Sequence, residues 1–379
     1  MKLAFSFLCE NPNRRTGLTT LFHEFLYHSI RLFPDLPWVL FAGPNQDIGL
    51  EDPRLKFIRD FPAGDRLMPR LLADHFRVGS RAQAEGAKAL LTVGFAPIRC
   101  PLPVVMHVNS LQHLNPVNRV GGMRERYRSF ILNYGIGRAN LIITNSQSAR
   151  TQLLKAYPQA SPKVIMSYEG TQPQFQPVKK PGEEQRLQEQ FGFGPGYILW
   201  VSNFYRYKQA PLLFEAYAQL PESIRTRMPI VMVGGDWEGG LDEAKAVVRQ
   251  LGLQSQVRFL GWVADEWLPA LYRNALAFCL PSREETFGRC VTEAMSCGTP
   301  CLLNDIPIMR EVTGGHAIIV DFADRPKVTA GLKQLFEDGA LRQRLREEGI
   351  EQAAKFSFEN LTRQRISAVL DLLGKPSCS

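Results

Sequence analysis

Apolar and polar positions alternate on two length scales along this chain. Short apolar runs at residues 3–8, 38–42, 55–58, 89–93 and 104–107 have the length of buried strands. Between them lie stretches with apolar residues three and four apart. In residues 18–32 these are Leu18, Leu21, Phe22, Phe25, Leu26 and Ile30, one face of a helix. Further helices are expected at 66–76, at 123–138 and after Ser146, a good helix cap, with strands at 141–144 and 164–166. The second half repeats the rhythm. Strands are expected at 197–201, 230–233, 257–260, 275–280 and 300–303, and helices at 183–191, 265–274, 327–336, 341–356 and 358–373. Such alternation predicts an α/β protein, with parallel sheets covered by helices on both faces. Residues 172–196 interrupt it: they are mostly polar and include Pro173, Pro177, Pro181 and Pro195, the composition of a linker with a short helix. A chain of 379 residues is expected to form two domains, each with a sizeable core.

Composition changes this picture little. With 45% hydrophobic and 22% charged residues the chain is ordinary for a globular protein. The start, MKLAFSFLCE, is too short and too soon acidic for a signal peptide and reads as the first strand. No apolar run approaches the ~18 residues of a membrane span. Seven cysteines without a CxxC pair suit a reducing cytosol and behave as small core residues. A cytoplasmic protein is expected, with peripheral contact at the inner membrane face as a second reading. Charge is more informative. The net charge of +8 is uneven: residues 1–175 carry 21 Lys and Arg against 12 Asp and Glu, the remainder 24 against 25. A basic first half suits an anionic acceptor or an anionic membrane surface. Arg124, Arg126 and Arg128 beside Tyr127, Phe130 and Ile131 make the 119–138 segment a candidate for such contact, or simply a helix with a wet polar face. No nucleic-acid-binding module is present, so no nucleic-acid partner is expected.

Candidate chemistry concentrates in residues 281–300, PSREETFGRCVTEAMSCGTP. Glu285 falls in the loop after an apolar strand. Gly288 permits close backbone approach to a ligand, and the helix formers of 292–297 end at Gly298. Amides at a helix start favour an anion, most naturally a phosphate. A carboxylate beside that anion accepts hydrogen bonds from sugar hydroxyls. The pattern therefore fits a sugar joined to a nucleotide diphosphate.

The stretch Glu285-Thr286-Phe287-Gly288, then Glu293-Ala294-Met295 and Gly298-Thr299-Pro300, resembles the donor signature of retaining glycosyltransferases of family 4. That resemblance implies the GT-B fold: two Rossmann-like doubly wound domains facing each other across a cleft, with a C-terminal helix crossing back to the first. It implies an acceptor-side domain at 1–175, joined by about 358–379, and a donor domain at 176–357. It assigns catalysis to Glu285 and His107. Donor contacts fall to Gly17, Arg206, Lys208, Gly235, Trp262, Thr286, Phe287, Gly288, Arg289 and Glu293. Lys208 matches the family lysine, whereas Ser202-Asn203 stands where the family has Gly-Arg, leaving Arg206 as the replacement. The first turn, NPNRRTG, holds Gly17 as its one glycine, and Arg14, Asn109 and His113 are acceptor-side candidates. Here Glu285 presents negative charge to an oxocarbenium-like sugar, the cations and amides stabilise the departing diphosphate, and Glu293 binds the ribose. No metal and no cofactor are expected, with the nucleotide sugar as co-substrate. The implied activity is transfer of a hexose from GDP-mannose or a UDP-hexose to a glycan or lipid-linked acceptor. A nucleotide-sugar epimerase and a non-catalytic nucleotide-sugar-binding protein are the alternatives.

Overall fold

The computed structural model describes residues 1–9, 17–44, 46, 49–62, 66–109, 111, 123–236 and 239–374. The chain divides into two units, Met1–Gly170 with Ser357–Ser379, and Thr171–Phe356.

The first unit runs β1 (Lys2–Ser6), α1 (Gly17–Leu32), β2 (Trp38–Phe41), β3 (Leu55–Ile58), α2 (Leu67–Phe76), α3 (Val78–Ala84) and β4 (Ala87–Val93). It continues through β5 (Val104–Val108), α4 (Met123–Arg138), β6 (Leu141–Thr144), α5 (Gln147–Ala156) and β7 (Val164–Met166). The seven strands are all parallel, in the order β3-β2-β1-β4-β5-β6-β7. Helices on both faces explain why the strands read as continuous apolar runs. On one face Leu21, Phe22, Phe25 and Leu26 of α1 pack over Leu3, Phe5, Trp38 and Leu40. On the other, Ala73, Val78 and Ala82 cover Ala4, Val39 and Phe41. Ser146 caps α5 by accepting from the Ala149 amide at 2.9 Å, as its residue type predicts.

The second unit runs α6 (Glu183–Phe191), β8 (Tyr197–Val201), α7 (Ala210–Tyr217), α8 (Glu222–Arg225), β9 (Ile230–Val233), α9 (Gly240–Gln250), β10 (Val257–Gly261) and α10 (Leu268–Asn274). It closes with β11 (Ala275–Leu280), α11 (Arg289–Ser296), β12 (Cys301–Asn304), α12 (Pro307–Thr313), β13 (Ile318–Val320), α13 (Arg325–Glu337) and α14 (Gly339–Ala353). Its six parallel strands take the order β10-β9-β8-β11-β12-β13. The final helix, α15 (Phe358–Leu372), belongs to the first unit: Leu361, Ile366 and Val369 join the core under α1.

The division falls at Gly170, five residues before the boundary read from the sequence. Phe175 lies against Tyr272 with ring centroids 5.8 Å apart, and the Gln176 carbonyl accepts from Arg273 at 3.1 Å, so this segment packs with the second unit. Both units are Rossmann-like doubly wound sheets. In such sheets ligands gather outside the carboxyl ends of the strands where the order reverses. The reversal lies between β1 and β4 in the first unit, and between β8 and β11 in the second.

Candidate active site

The reversal point of the second unit holds the acidic turn singled out from the sequence. β8 and β11 are parallel neighbours, so the loops leaving their carboxyl ends lie side by side. The Arg283 amide donates to the Tyr207 carbonyl at 2.9 Å, tying the two loops together. Lys208 Nζ donates to Glu285 Oε1 across this junction, and the two side chains are only 10% and 12% exposed. Burial alone lowers the lysine pKa, but the adjacent Glu285 charge and hydrogen bond outweigh it and hold the ammonium above its usual range. Cys290 lies close by; burial first, then the Glu285 charge, push its thiol up to about 12, so it keeps its proton.

Gly288 takes a left-handed backbone, φ 84°, and caps α11. The helix therefore begins at Arg289, earlier than the run of helix formers indicates, and its first amides lie directly after the turn bearing Glu285. Thr286 is half-buried, and Phe287 is buried against Phe356 with centroids 5.4 Å apart. Glu293, the fifth residue of α11, accepts from Tyr272 Oη at 3.0 Å and stands 3.6 Å from Arg289 Nε. Tyr272 itself is buried; burial and the Glu293 charge keep its hydroxyl protonated and donating. No sequence spacing signals this tyrosine, which lies in α10, before β11 in the chain.

Other expected donor residues line the same edge. Gly235 follows β9, its carbonyl accepting from the Phe204 amide at 3.0 Å. The preceding Gly234 has φ 141°, and a Cβ there would lie 1.6 Å from the Ser202 carbonyl oxygen. Trp262 follows β10 and is 71% exposed, so its ring is presented to solvent. Arg206 does not join Lys208: it is 77% exposed and stands 3.4 Å from Glu243 of α9.

In the first unit His107 lies on β5, 1% exposed, between Phe22 and Phe25 at centroid distances of 5.3 and 6.2 Å. Burial, reinforced by the Arg365 charge, lowers its pKa well below the ordinary value and keeps it neutral. Neither ring nitrogen has a hydrogen-bond partner among the described residues. Arg365 of α15 is buried too and donates to the Ser167 hydroxyl and carbonyl, both at 3.3 Å. Asn109 follows β5 half-buried, and Gly17 opens α1 at the surface. Arg14 and His113 lie outside the described residues.

The first unit also exposes an apolar surface. Leu67, Met68, Leu72 and Phe76 of α2 are exposed, as are Tyr127 and Phe130 of α4. The helices meet where Tyr127 Oη lies 3.3 Å from His75 Nε2. Arg66, Arg77, Arg99 and Arg126 stand exposed on the same elements and loops. Among the described residues no helix is long and apolar enough to cross a membrane, and no cluster of three His, Cys, Asp or Glu side chains is set to hold a metal.

Residues 182–352 match the family Glycosyl transferases group 1. The chain is 30% identical over 247 residues to O-antigen chain mannosyltransferase B of Escherichia coli, an overlap covering 65% of this chain and 64% of that protein. Sucrose-phosphate synthase from Thermosynechococcus elongatus has the same fold, with TM-score 0.79 at 18% identity over 98% of this chain and 99% of that one. Anabaena Alr3699/HepE, solved in complex with UDP and glucose, gives TM-score 0.76 at 19% identity over 98% and 99%.

Proposed function

The chain carries a Glycosyl transferases group 1 domain on a GT-B fold, and from that premise we propose that it is a retaining glycosyltransferase. It moves a hexose from a nucleotide-diphosphate sugar to a glycan or lipid-linked acceptor in polysaccharide or cell-surface glycan synthesis. The observation that carries the reading is the buried Lys208–Glu285 pair at the strand-order reversal, beside the left-handed start of α11. A cation, a carboxylate and a helix amino end within one turn suit a ligand that is anionic on one side and hydroxylated on the other.

In this mechanism Lys208 and the amides of residues 287–289 stabilise charge building on the diphosphate as the sugar departs. Lys208 has three donors, and Glu285 takes one of them. Glu285 accepts from sugar hydroxyls and offsets positive charge at the anomeric carbon. Glu293, held by Tyr272 and Arg289, binds the ribose. Thr286 and Phe287 shape the turn, Gly235 borders the nucleotide and Trp262 stacks on the base. Front-face attack assisted by the leaving phosphate accounts for retention. The first unit takes the acceptor through Asn109, Arg14 and His113. His107 serves there as a neutral hydrogen-bonding group, because burial denies it the charged form.

Similarity to an O-antigen mannosyltransferase favours mannose as the sugar. A thermal-shift series with GDP-mannose, UDP-glucose and UDP-N-acetylglucosamine tests it, since a true donor raises Tm by mass action. GDP-mannose is expected to give the largest shift. No shift with any of the three, or conversion of donor to its epimer without acceptor, sinks the reading. For the acceptor membrane we propose peripheral contact through the exposed α2 and α4 side chains, whose arginines complement anionic headgroups.

A further inference from the structure

The edge of the second sheet opposite Glu285 and Lys208, at the amino ends of β8 and β11, carries an open cavity of about 380 Å³. Lys179, Arg273, Arg342 and Arg346 line it, and none of its lining residues is acidic. Two of these cations are already neutralised. Arg273 Nε donates to both carboxylate oxygens of Glu183, at 3.0 and 3.1 Å, and Lys179 pairs with Glu184 at 2.6 Å. Arg342 and Arg346 differ. They sit one turn apart on α14, and each guanidinium is anchored by main-chain carbonyls. Arg342 Nη1 donates to Leu335 and Phe336 at 2.7 and 2.9 Å; Arg346 donates to Gly298 and Pro177 at 3.1 and 3.2 Å. Carbonyls fix position without cancelling charge, so both remain uncompensated by any carboxylate among the described residues.

The backbone is shaped around these groups. Gly298 has φ 74°, and a Cβ there would lie 2.7 Å from Arg346 Nη1, so only glycine lets the guanidinium lie against that turn. Gly339, the first residue of α14, also lines the cavity; the helix end itself is capped by Asp338, whose carboxylate accepts from the Leu341 amide at 2.9 Å, so the charge offered to a ligand is that of the two arginines. Two fixed guanidinium forks match a phosphate. The volume, at the small end of the roughly 300–1,000 Å³ of ligand pockets, leaves room for a sugar-sized group beside it. We propose that this cavity binds a small phosphorylated metabolite of sugar-phosphate size, at a site distinct from the donor edge.

The test titrates the full chain by calorimetry with glucose 6-phosphate and inorganic phosphate, with chloride at matched ionic strength as control. Glucose 6-phosphate is expected to bind several-fold more tightly than inorganic phosphate. Arg342→Gln should weaken it about tenfold, the loss of one charged hydrogen bond. Gln343→Glu should do the same while leaving both arginine anchors intact, so an unchanged Tm separates a lost site from a damaged fold. Lys208→Ala should leave this binding unaltered. Binding no stronger than chloride, or binding lost in Lys208→Ala and kept in Gln343→Glu, overturns the proposal. Equal affinity for inorganic phosphate and the sugar phosphate overturns the metabolite and leaves an ion site.

Discussion

A lysine and a glutamate removed together from water are costly unless they face each other, and this asymmetry makes Lys208 and Glu285 separable by experiment. Removing one partner strands the other as an uncompensated buried charge, at about 3–5 kcal/mol. Removing both for apolar groups is far cheaper. Glu285→Ala should therefore lower unfolding free energy by roughly 3 kcal/mol, and Lys208→Met/Glu285→Leu should recover most of that loss while remaining inactive. Urea unfolding reads the first quantity and donor turnover the second; additive stability losses would show that the pair is not coupled. Lys208→Ala should in addition weaken donor binding at least tenfold, the worth of a charged hydrogen bond. Asp74 offers a different residue-scale test. It is buried, accepting from Ser6 Oγ at 2.7 Å and from Arg70 at 3.3 Å. Burial raises its carboxyl to about 6, against these partners, from an ordinary 3.8. Between those two pH values the unfolded chain releases this proton and the folded chain keeps it, so Asp74 makes stability fall as pH rises through the window. Relative to Asp74→Asn, the natural protein should lose stability between about pH 4 and pH 7; a constant difference between the two refutes the assignment.

The strand–turn–helix unit from β11 to α11 was the most legible element in the sequence. Its apolar run and its closing Gly298 mark real boundaries, whereas Gly288 was read only as a point of close ligand approach. The helix start was read three residues late because Cys290 and Val291 are weak helix formers; the left-handed Gly288 decides the boundary instead. Gly288→Ala should cost about 1–2 kcal/mol, the penalty of a Cβ in that conformation, and Gly288→Asn less. The added Cβ would meet the flexible Met309 side chain at 3.4 Å and Val291 Cγ2 at 3.6 Å, ordinary contacts, so the cost is conformational. A thermal melt of both variants checks it; equal Tm for all three proteins would mean the turn relaxes freely. Other elements were not legible. α7 is apolar on most faces and follows Gln209 at φ 52°, so it shows neither helical period nor cap. β13 has three half-buried residues, too few to alternate. The hydroxyl that Tyr272 lends to Glu293 is a tertiary contact, invisible to any local pattern.

Charge asymmetry was visible at the scale of the whole chain, yet the surface it serves was not. Residues 1–175 hold the excess of Lys and Arg, and the 119–138 segment was the membrane candidate because its arginines alternate with aromatics. The fold gives more of the exposed apolar surface to α2, whose Leu67, Met68 and Leu72 read as a core face in isolation. Their period is helical, and only Ala73, Asp74 and His75 of that helix are fully buried. An apolar strip of this kind, exposed among the described residues, suits an interaction site. Its flanking arginines choose among occupants: each cation near an anionic headgroup contributes about 1 kcal/mol, which a neutral bilayer cannot supply. The protein should therefore pellet with phosphatidylglycerol-containing vesicles at low salt, but not with phosphatidylcholine alone. Binding should fall steeply as salt shortens the screening length to about 8 Å at physiological strength. Met68→Ser/Leu72→Ser should release it with little change in Tm, because both side chains are already in water. Arg66→Gln/Arg77→Gln should reduce binding and flatten its salt dependence. Vesicle binding that ignores both pairs of substitutions would move the contact away from α2 and leave the first half's charge to serve an anionic acceptor instead.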